Sequence, residues 1–365
     1  MAACSGAGAS SSTTAGTAAD AAGFKTAAAK VATYRKVPTS IGITQPIGKP
    51  IPSNKTVVLI GAGQGGSGTI LTYNGFKDAA KLMGWNVKEI QPQQPTPQLL
   101  QQALNQASQL NPDLLVISAV DVAPIETQLK EFQSKGVPIV STTGADPTGG
   151  VLTLQLMGVD GLSKLAQAVG DKSLADMGAP GTVGMVGIQG YKIINDYSKS
   201  YKSEVNKLCP SCQVKSMELP LTSLGTTAGS DIVNWLRANP DIKSLFVGWD
   251  GMDANLFSAA KQAGVTLPKT YSVALVPENL TTLSAGTLTA STPMDTTELG
   301  WRLADAAARI FTDQTASALD QDVKYERAVL WDKEYGNIPQ SAPSDGSYPP
   351  VVANYQDQYK KIWDK

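Results

Sequence analysis

The feature that most constrains the fold of this chain is an internal repeat. Asn111-Pro-Asp precedes an apolar run that ends at Asp121, and Asn239-Pro-Asp precedes a second apolar run that ends at Asp250. A Gly-Val pair follows each run after a helix-like stretch. The three landmarks are separated from their counterparts by 128, 129 and 128 residues. These nearly constant offsets indicate two copies of one structural unit.

Within each copy, strand-like and helix-like segments alternate. Thr56–Ile60 and Leu114–Ser118 are short apolar runs, whereas residues 74–85 have a helical spacing that puts Phe76 and Met83 on one face. Such alternation is typical of a parallel sheet covered by helices. We therefore predict the α/β fold class with two three-layer lobes. Because ligands bind beyond the carboxyl ends of the strands in such sheets, two facing lobes would share one cleft.

The composition excludes several kinds of function. The chain has 365 residues, which by length alone suggests two domains. It has 30 Lys and Arg against 31 Asp and Glu, so its net charge gives no indication of nucleic-acid binding. It has no histidine, which excludes Ser-His-Asp and Cys-His catalysis and histidine-ligated zinc. We therefore expect no enzyme activity, no metal and no nucleic-acid partner.

The two ends of the sequence differ in composition from the rest. Ala2 and Ala3 before Cys4 are typical of a lipoprotein cleavage site, after which Cys4 would carry the lipid; the alternative is a chance cysteine. Residues 5–22 are mostly Ser, Gly, Ala and Thr, which predicts a flexible tether. No apolar run reaches the roughly 18 residues of a membrane span. We therefore expect an extracytoplasmic protein, anchored to the outer face of the cell membrane through Cys4 or periplasmic. The aromatic stretch 348–363 is predicted to be irregular.

Cys209 and Cys212 form a Cys-x-x-Cys motif with two possible roles. A thioredoxin-like redox motif lies between a strand and the start of a helix. Here the motif follows the helix-like stretch 197–208 and precedes the strand-like stretch 213–219. This order favours a structural disulfide, which in so short a loop would contribute about 2 kcal/mol. A structural disulfide in turn favours an oxidising compartment.

Three segments together resemble one protein family. Residues 250–264 resemble the Asp-x-x-Ala-x-Gly-x-x-x-Ala-x-x-x-Ala-Gly helix of type I periplasmic sugar-binding proteins, the ribose-like group. Residues 283–292, followed by 295–300, resemble the segment with which those proteins cross between lobes. Residues 136–140 resemble their Gly-Ile-Pro-Val-Val strand. The similarity runs in order over about residues 55–330.

The resemblance implies the type I periplasmic-binding-protein fold, in which two Rossmann-like lobes are joined by a hinge of three segments. Together with the internal repeat, the crossing segment predicts a tether and N-terminal extension at residues 1–54 and a first lobe at 55–157 with 295–324. It also predicts a second lobe at 158–294 with 325–340 and a C-terminal tail at 341–365. The resemblance also implies a monomeric lipoprotein that captures a small solute for the permease subunits of an ABC importer, without a cofactor.

The resemblance maps the ribose contacts of the family onto this chain, and most of them have changed. The family's Asp-Arg pair falls on Thr143-Gly144, an Arg on Asn195, an Asn on Trp249, an Asp on about Ala274 and a Gln on Met294. Losing charged, directional contacts disfavours an unsubstituted pyranose. A small neutral solute (a polyol, a modified sugar or an aromatic compound) fits better. Trp249 would be a flat wall for a ring face, or alternatively an ordinary packing residue.

Further candidate contacts follow other predicted strands. Gln189 and Tyr191 come after the strand-like stretch 182–186. Asp121 and Asp250 occupy equivalent places in the two copies, where each is either a helix cap or a ligand contact.

A glycine-rich motif, Gly61-Ala-Gly-Gln-Gly-Gly, matches the dinucleotide-binding pattern G-x-G-x-x-G. In such sites the helix begins within the motif, whereas helical spacing here is clear only near Tyr73. We interpret the motif as a cleft loop in which Gln64, Ser67 and Thr69 offer hydrogen bonds. An NAD-dependent oxidoreductase is the corresponding alternative.

Three other functions are compatible with parts of the pattern. A membrane-tethered sensor would use the same fold and pass its ligand-bound form to a signalling partner. A glycoside hydrolase would need a paired acid and base, which the strand ends do not mark. A sugar-responsive repressor would need a basic helix-turn-helix before residue 55, where the sequence has an Ala- and Ser-rich stretch.

Overall fold

The computed structural model describes residues 16–61, 67–253, 255–318 and 328–365. The strands in these ranges are β1 Thr56–Ile60, β2 Asn86–Ile90, β3 Leu114–Ser118, β4 Ile139–Thr142, β5 Leu154–Leu156, β6 Thr182–Ile188, β7 Gln213–Leu219, β8 Ile242–Val247, β9 Lys269–Leu275, β10 Ala290–Pro293 and β11 Trp331–Asp332. The helices are α1 Ala18–Tyr34, α2 Ser67–Met83, α3 Pro97–Ser108, α4 Glu126–Ser134, α5 Val159–Met177, α6 Lys192–Leu208, α7 Ala228–Ala238, α8 Leu256–Gln262, α9 Leu280–Ala285, α10 Thr296–Phe311 and α11 Tyr355–Trp363.

The strands form two sheets. The first is parallel throughout, with the order β2-β1-β3-β4-β5. The second has the order β11-β10-β9-β8-β6-β7 and is parallel except for the antiparallel pair β10–β11. All residues of β3 and β4 are buried, as expected of strands covered on both faces. The predicted α/β fold class is therefore confirmed, and the repeated landmarks lead into β3 and β8.

Two helices cross between the lobes: each packs in one lobe, although the strand that precedes it lies in the sheet of the other. Helix α10 follows β10 of the second sheet but packs against α2, and α5 follows β5 of the first sheet but packs against α6. The α2–α10 contact is close because glycines lie at the crossing. A Cβ atom added to Gly75 would lie 2.2 Å from the Thr297 carbonyl oxygen, and one added to Gly300 would lie 2.1 Å from the Thr72 carbonyl oxygen. The exact lobe boundaries stay a prediction.

The N-terminal region corrects the predicted tether, since α1 begins at Ala18, inside the stretch 5–22. The side chains of Thr17 and Asp20 form a reciprocal capping box that fixes this helix start. Asp20 also accepts a hydrogen bond from the Ser211 backbone nitrogen (3.2 Å). A Cβ at Gly23 would lie 1.7 Å from the Leu208 carbonyl oxygen. Helix α1 is thus held against the second lobe by contacts that local composition does not encode.

The C-terminal stretch also differs from the prediction, because residues 355–363 form helix α11. Its aromatic face explains the helix: the Trp363 ring stacks on Trp301 at 5.5 Å, and the Trp363 indole nitrogen donates to Asp305 (2.9 Å). The Ile47 nitrogen donates to the Ile362 carbonyl (3.0 Å). The tail therefore packs on α10, in the core of the first lobe.

Cys209 and Cys212 form a disulfide between α6 and β7. The turn between them is closed by a hydrogen bond from the Cys212 nitrogen to the Cys209 carbonyl (3.0 Å). Cys209 is fully buried and Cys212 is 8 % exposed. The bond therefore occupies the helix-to-strand turn expected of a structural disulfide.

Candidate functional site

A cavity of about 550 Å³ lies between the two sheets, at the carboxyl ends of their strands. This is where open α/β sheets bind ligands. The lining residues come from both sheets, from helices α2, α6 and α10, and from the C-terminal segment: Gly68, Thr69, Leu71, Gln94, Pro95, Ala119, Thr143, Ile188, Tyr191, Ile193, Ile194, Tyr197, Leu221, Leu224, Gly225, Trp249, Gly251, Ala274, Leu275, Val276, Pro277, Met294, Thr296 and Tyr348.

Several residues singled out from the sequence lie together in this cavity. Thr143 follows β4, Trp249 follows β8, Met294 follows β10 and Tyr191 precedes α6. Ala274, at the end of β9, lines the cavity as well. Four of the positions mapped from the family's ribose contacts therefore lie on the cavity wall; a role in binding ligand stays a prediction for each.

Other predicted residues lie elsewhere. Asn195 is in α6 but is not among the lining residues, unlike Ile193 and Ile194 beside it. Gln189 is exposed, and its backbone nitrogen donates to the Leu219 carbonyl (2.9 Å). Asp121 lines a smaller adjacent cavity of about 240 Å³.

The glycine-rich motif is only partly described. Gln64 lies outside the described residues, and of Ser67 only the backbone is described, as the first residue of α2. The helix therefore begins six residues earlier than the predicted start near Tyr73. The prediction missed this first part because Gly68 and Thr69 show no apolar spacing of helical period. The helix thus begins directly after the glycine-rich motif, closer to the arrangement of a dinucleotide site than the sequence predicted. Thr69 lines the cavity, as expected for a cleft loop that leads into a helix.

Trp249 is positioned by a glycine two residues later. A Cβ at Gly251 would lie 2.5 Å from two carbon atoms of the Trp249 ring. Since ordinary carbon contacts are about 3.5–4.0 Å, the indole can occupy its present place only beside glycine. The residue at 251 thus fixes the aromatic wall of the cavity.

Asp250 is a buried structural carboxylate and does not line the cavity. It accepts hydrogen bonds from the Ser272 hydroxyl (2.7 Å) and from the Val276 backbone nitrogen (2.8 Å). The Asn279 side chain donates to the Asp253 carboxylate (2.7 Å) and to the Asp250 carbonyl (3.0 Å). Burial raises the pKa of Asp250 to about 6, although these hydrogen bonds oppose the rise. Asp250 therefore ties the ends of β8 and β9 together behind Trp249.

Three strand ends at the cavity have an unusual backbone. Ala119, Thr143 and Ala274 have φ values of 54°, 51° and 55°, in the left-handed region. Residues with a Cβ rarely adopt this region, and such strain is concentrated at ligand sites. The Thr143 hydroxyl donates to the Thr142 carbonyl (2.7 Å) and lies 3.5 Å from the Ser118 hydroxyl, so part of its hydrogen-bonding capacity is used within the first lobe. The backbone at these positions therefore supports the assignment of the cavity as the functional site.

Tyr348, which sequence analysis missed, reaches the cavity from the C-terminal segment. Its hydroxyl donates to the Leu275 carbonyl (2.7 Å) and accepts from the Met294 nitrogen (3.3 Å). Burial raises the pKa of Tyr348 well above its ordinary value, so the hydroxyl stays protonated. Tyr348 thus joins the ends of β9 and β10. Its only sequence indication was its place in the aromatic stretch 348–363.

Charged groups lie at the rim of the cleft and not among the described lining residues of the larger cavity. Lys192, at the start of α6, forms an ion pair with Asp146, which follows β4 (3.1 Å). This pair joins the two lobes beside the adjacent smaller cavity, which Lys192 lines. Although Asp121 is exposed, partial desolvation of its carboxylate and the neighbouring Asp146 charge raise its pKa in the same place.

Neither a metal site nor a membrane-spanning helix is present in the described part of the chain. Within the described ranges, no group of His, Cys, Asp and Glu side chains is arranged to hold a metal ion. No helix in that part of the chain is long and apolar enough to cross a membrane.

Comparison with known proteins agrees with this architecture. The family model described as a periplasmic binding protein domain matches residues 57–315. None of the curated proteins compared with the chain matches it.

Solved structures of similar fold are numerous but distant in sequence. An ABC sugar transporter subunit from Rhodobacter sphaeroides is 18% identical, with a TM-score of 0.66, and the match covers 77% of this chain and 98% of that chain. A solute-binding protein from Agrobacterium vitis with bound allitol is 19% identical, with a TM-score of 0.64, covering 77% and 96%. A 5-methylthioribose transporter solute-binding protein from Thermotoga lettingae is 14% identical, with a TM-score of 0.67, covering 87% and 99%. At these identities the likeness is one of fold.

Proposed function

Because the chain belongs to the periplasmic binding protein family, we propose that it is the extracytoplasmic solute-binding component of an ABC importer. The observation that carries this proposal is the cavity between the two sheets, which takes residues from both lobes. A solute bound there contacts both lobes at once and thereby stabilises their closed arrangement. The permease subunits would then recognise the closed form. The protein acts by binding and closure, without a chemical step.

The solute is a small neutral compound, since the described lining residues carry no charged side chain. The sugar and polyol named for the similar structures are compatible with this chemistry. Micromolar affinity requires about −8 kcal/mol. Hydrogen bonds contribute about 1 kcal/mol each, so apolar contact must supply much of the remainder. About 200 Å² of buried apolar surface would contribute about 5 kcal/mol.

Binding and closure can be tested separately. A thermal-shift screen of the full chain against polyols, pentoses, hexoses, small aromatics, amino acids and organic acids should find a neutral stabilising solute, because a ligand at 100 times its Kd adds about 2.7 kcal/mol. Small-angle X-ray scattering should then show a smaller radius of gyration with that solute. Trp249→Ala should weaken its binding by roughly tenfold through loss of the aromatic wall. The proposal fails if no solute of any class binds, or if a saturating solute leaves the scattering curve unchanged.

Attachment to the membrane through Cys4 is the finer part of the proposal. Its support is Ala2-Ala3-Cys4 followed by a Ser-, Gly- and Ala-rich stretch. Cells that express the protein behind a lipoprotein signal peptide should incorporate an alkyne-labelled fatty acid into it, and the Cys4→Ser variant should not. Equal labelling of both proteins would refute the anchor. Sedimentation of the soluble chain tests the accompanying expectation of a monomer.

A further inference from the structure

The two sides of the cavity differ in chemical character. We call Thr69, Gln94, Thr143 and Thr296 the polar wall; all four belong to the first lobe or to α10, which packs on it. The second lobe contributes the apolar wall, represented by Ile193, Ile194, Leu221, Leu224, Val276 and Met294.

The polar wall has an unused hydrogen-bonding group. Thr296 is 4 % exposed, and its hydroxyl oxygen has no hydrogen-bond partner in the described part of the chain. Buried hydroxyls are normally paired, and a rotation of this side chain toward the cavity would pair the oxygen with a ligand hydroxyl. Thr143 also lines this wall, and its hydroxyl oxygen keeps one lone pair beyond its contacts with Thr142 and Ser118.

Apart from the Tyr191 and Tyr197 hydroxyls and the Trp249 indole nitrogen, the described residues of the apolar wall offer a sugar few partners for its hydroxyl groups. It has the aromatic side chains of Tyr191, Tyr197 and Trp249 among branched aliphatic ones. A ligand hydroxyl pressed against aliphatic carbon loses its water without gaining a bond, which weakens binding by roughly tenfold for each such group. An apolar substituent in the same place gains contact instead. The cavity volume, about 550 Å³, lies in the range of about 300–1,000 Å³ that encloses ligands of drug size.

We infer that the solute is amphipathic, with hydroxyl groups bound at the polar wall and a bulky aryl or alkyl substituent bound at the apolar wall. This inference rests on the proposed function, because it names the class of solute that the same cleft captures. The substituted end lies against Leu224 and Trp249, and the hydroxyl-bearing end lies against Thr143 and Thr296. Closure of the second lobe then covers the apolar substituent.

Matched pairs of probes test the inference by titration calorimetry on the full chain. The pairs are D-glucose and phenyl β-D-glucopyranoside, D-xylose and phenyl β-D-xylopyranoside, and glycerol and 3-phenoxypropane-1,2-diol. In at least one pair the phenyl compound should bind at least tenfold more tightly than its unsubstituted partner. Phenol alone should bind more weakly than that compound, since it lacks the hydroxyl-bearing end.

Two substitutions test the orientation with the phenyl compound that binds best. Leu224→Asn should weaken its binding about tenfold, whereas Leu110→Asn, at a position that is 40 % exposed and outside the cavity, should leave it unchanged. Thr296→Val should weaken it about fivefold by removing the unpaired hydroxyl. If Leu224→Asn fails to fold, Leu221→Asn replaces it, because Leu221 is 49 % exposed at the same wall.

The outcomes separate this inference from the proposed function. If the unsubstituted member of each pair binds as tightly as the phenyl member, the amphipathic class is wrong while capture of a neutral solute stands. If no probe of any pair binds, the class is also wrong, and the broader thermal-shift screen then decides the proposed function. If Leu224→Asn and Leu110→Asn behave alike, the assigned orientation is wrong.

Discussion

Replacing Asp250 with asparagine tests whether this residue acts in the architecture of the site or in ligand contact. The side chain is fully buried and accepts hydrogen bonds from the Ser272 hydroxyl and the Val276 nitrogen. Asparagine keeps the volume but turns its amide group toward one of these two donors. At a pH where Asp250 is protonated, the lost hydrogen bond should lower the free energy of unfolding by about 1–3 kcal/mol.

The pH dependence of this difference follows from burial. In the folded protein the pKa of Asp250 is raised from 3.8 to about 6, so the folded state binds more protons than the unfolded state between these values. The stability due to this group is therefore fully present below about pH 4 and is lost as the pH rises through about 6. At about 1.4 kcal/mol per pH unit, the loss amounts to about 3 kcal/mol. Asparagine has no such dependence, so the advantage of the wild type should disappear by pH 8.

Chemical denaturation at pH 4, 5, 6, 7 and 8, followed by circular dichroism, measures the effect. Asp121→Asn is the matched control, because Asp121 holds the equivalent place in the repeat but is exposed. At pH 7 this control should change the free energy of unfolding by no more than about 0.5 kcal/mol. Burial and the Asp250 charge also raise the pKa of Asp253, so a variant with both Asp250→Asn and Asp253→Asn should depend still less on pH. If the free energies of unfolding of the wild type and of Asp250→Asn changed with pH in the same way, the reasoning would be refuted.

Three further substitutions have expected outcomes. Replacing both Cys209 and Cys212 with serine should lower the free energy of unfolding by about 2 kcal/mol; denaturation with and without reductant measures this, and an unchanged midpoint for the wild type under reductant would contradict it. Gly23→Ala should lower stability and speed hydrogen exchange in α1, because its Cβ would lie 1.7 Å from a backbone oxygen; a gain of about 0.5–1 kcal/mol, as in an unhindered helix, would show that α1 does not pack as described. Gly251→Ala should displace the indole and weaken calorimetric binding of the best phenyl probe about tenfold, whereas Gly170→Ala, whose nearest contact would be at 3.6 Å, should not. Equal affinities of these two variants would remove the aromatic wall from the site.

The parts of the fold that sequence analysis predicted are those with strong local patterns. Thr56–Ile60, Leu114–Ser118 and Gln213–Leu219 were predicted as strands and have these bounds in the structure. The internal repeat predicted that strand ends from both copies would face one cleft, and the cavity lies there. Local apolar runs were sufficient for Thr56–Ile60 and Leu114–Ser118, which are almost wholly buried. Gln213–Leu219 is an edge strand that is mostly exposed or half-buried, and its place after the disulfide turn indicated it.

The segments that sequence analysis misread depend on distant partners. Helix α1 has an Ala-rich sequence typical of a tether, and it is fixed by the Leu208 carbonyl and Ser211, far along the chain. Helix α11 depends on stacking between Trp301 and Trp363. Tyr348 enters the cleft because residues 333–354 return from β11 to the first lobe. None of these pairings leaves a periodic pattern in one stretch of sequence.

The pair Asp121 and Asp250 shows the limit of the repeat as a guide to function. Duplication gives both residues the same place after a central strand, yet their surroundings differ. In the second lobe, Ser272, Val276 and Asn279 enclose the Asp250 segment, and Trp249 takes the position that faces the cavity. In the first lobe, Asp121 remains at the rim of the cleft, near the ion pair of Lys192 and Asp146. In the proposed binding mode, equivalent positions would serve different ends of one ligand. The second copy encloses its carboxylate and presents an apolar wall, while the first copy keeps its carboxylate outside the larger cavity and presents threonine hydroxyls.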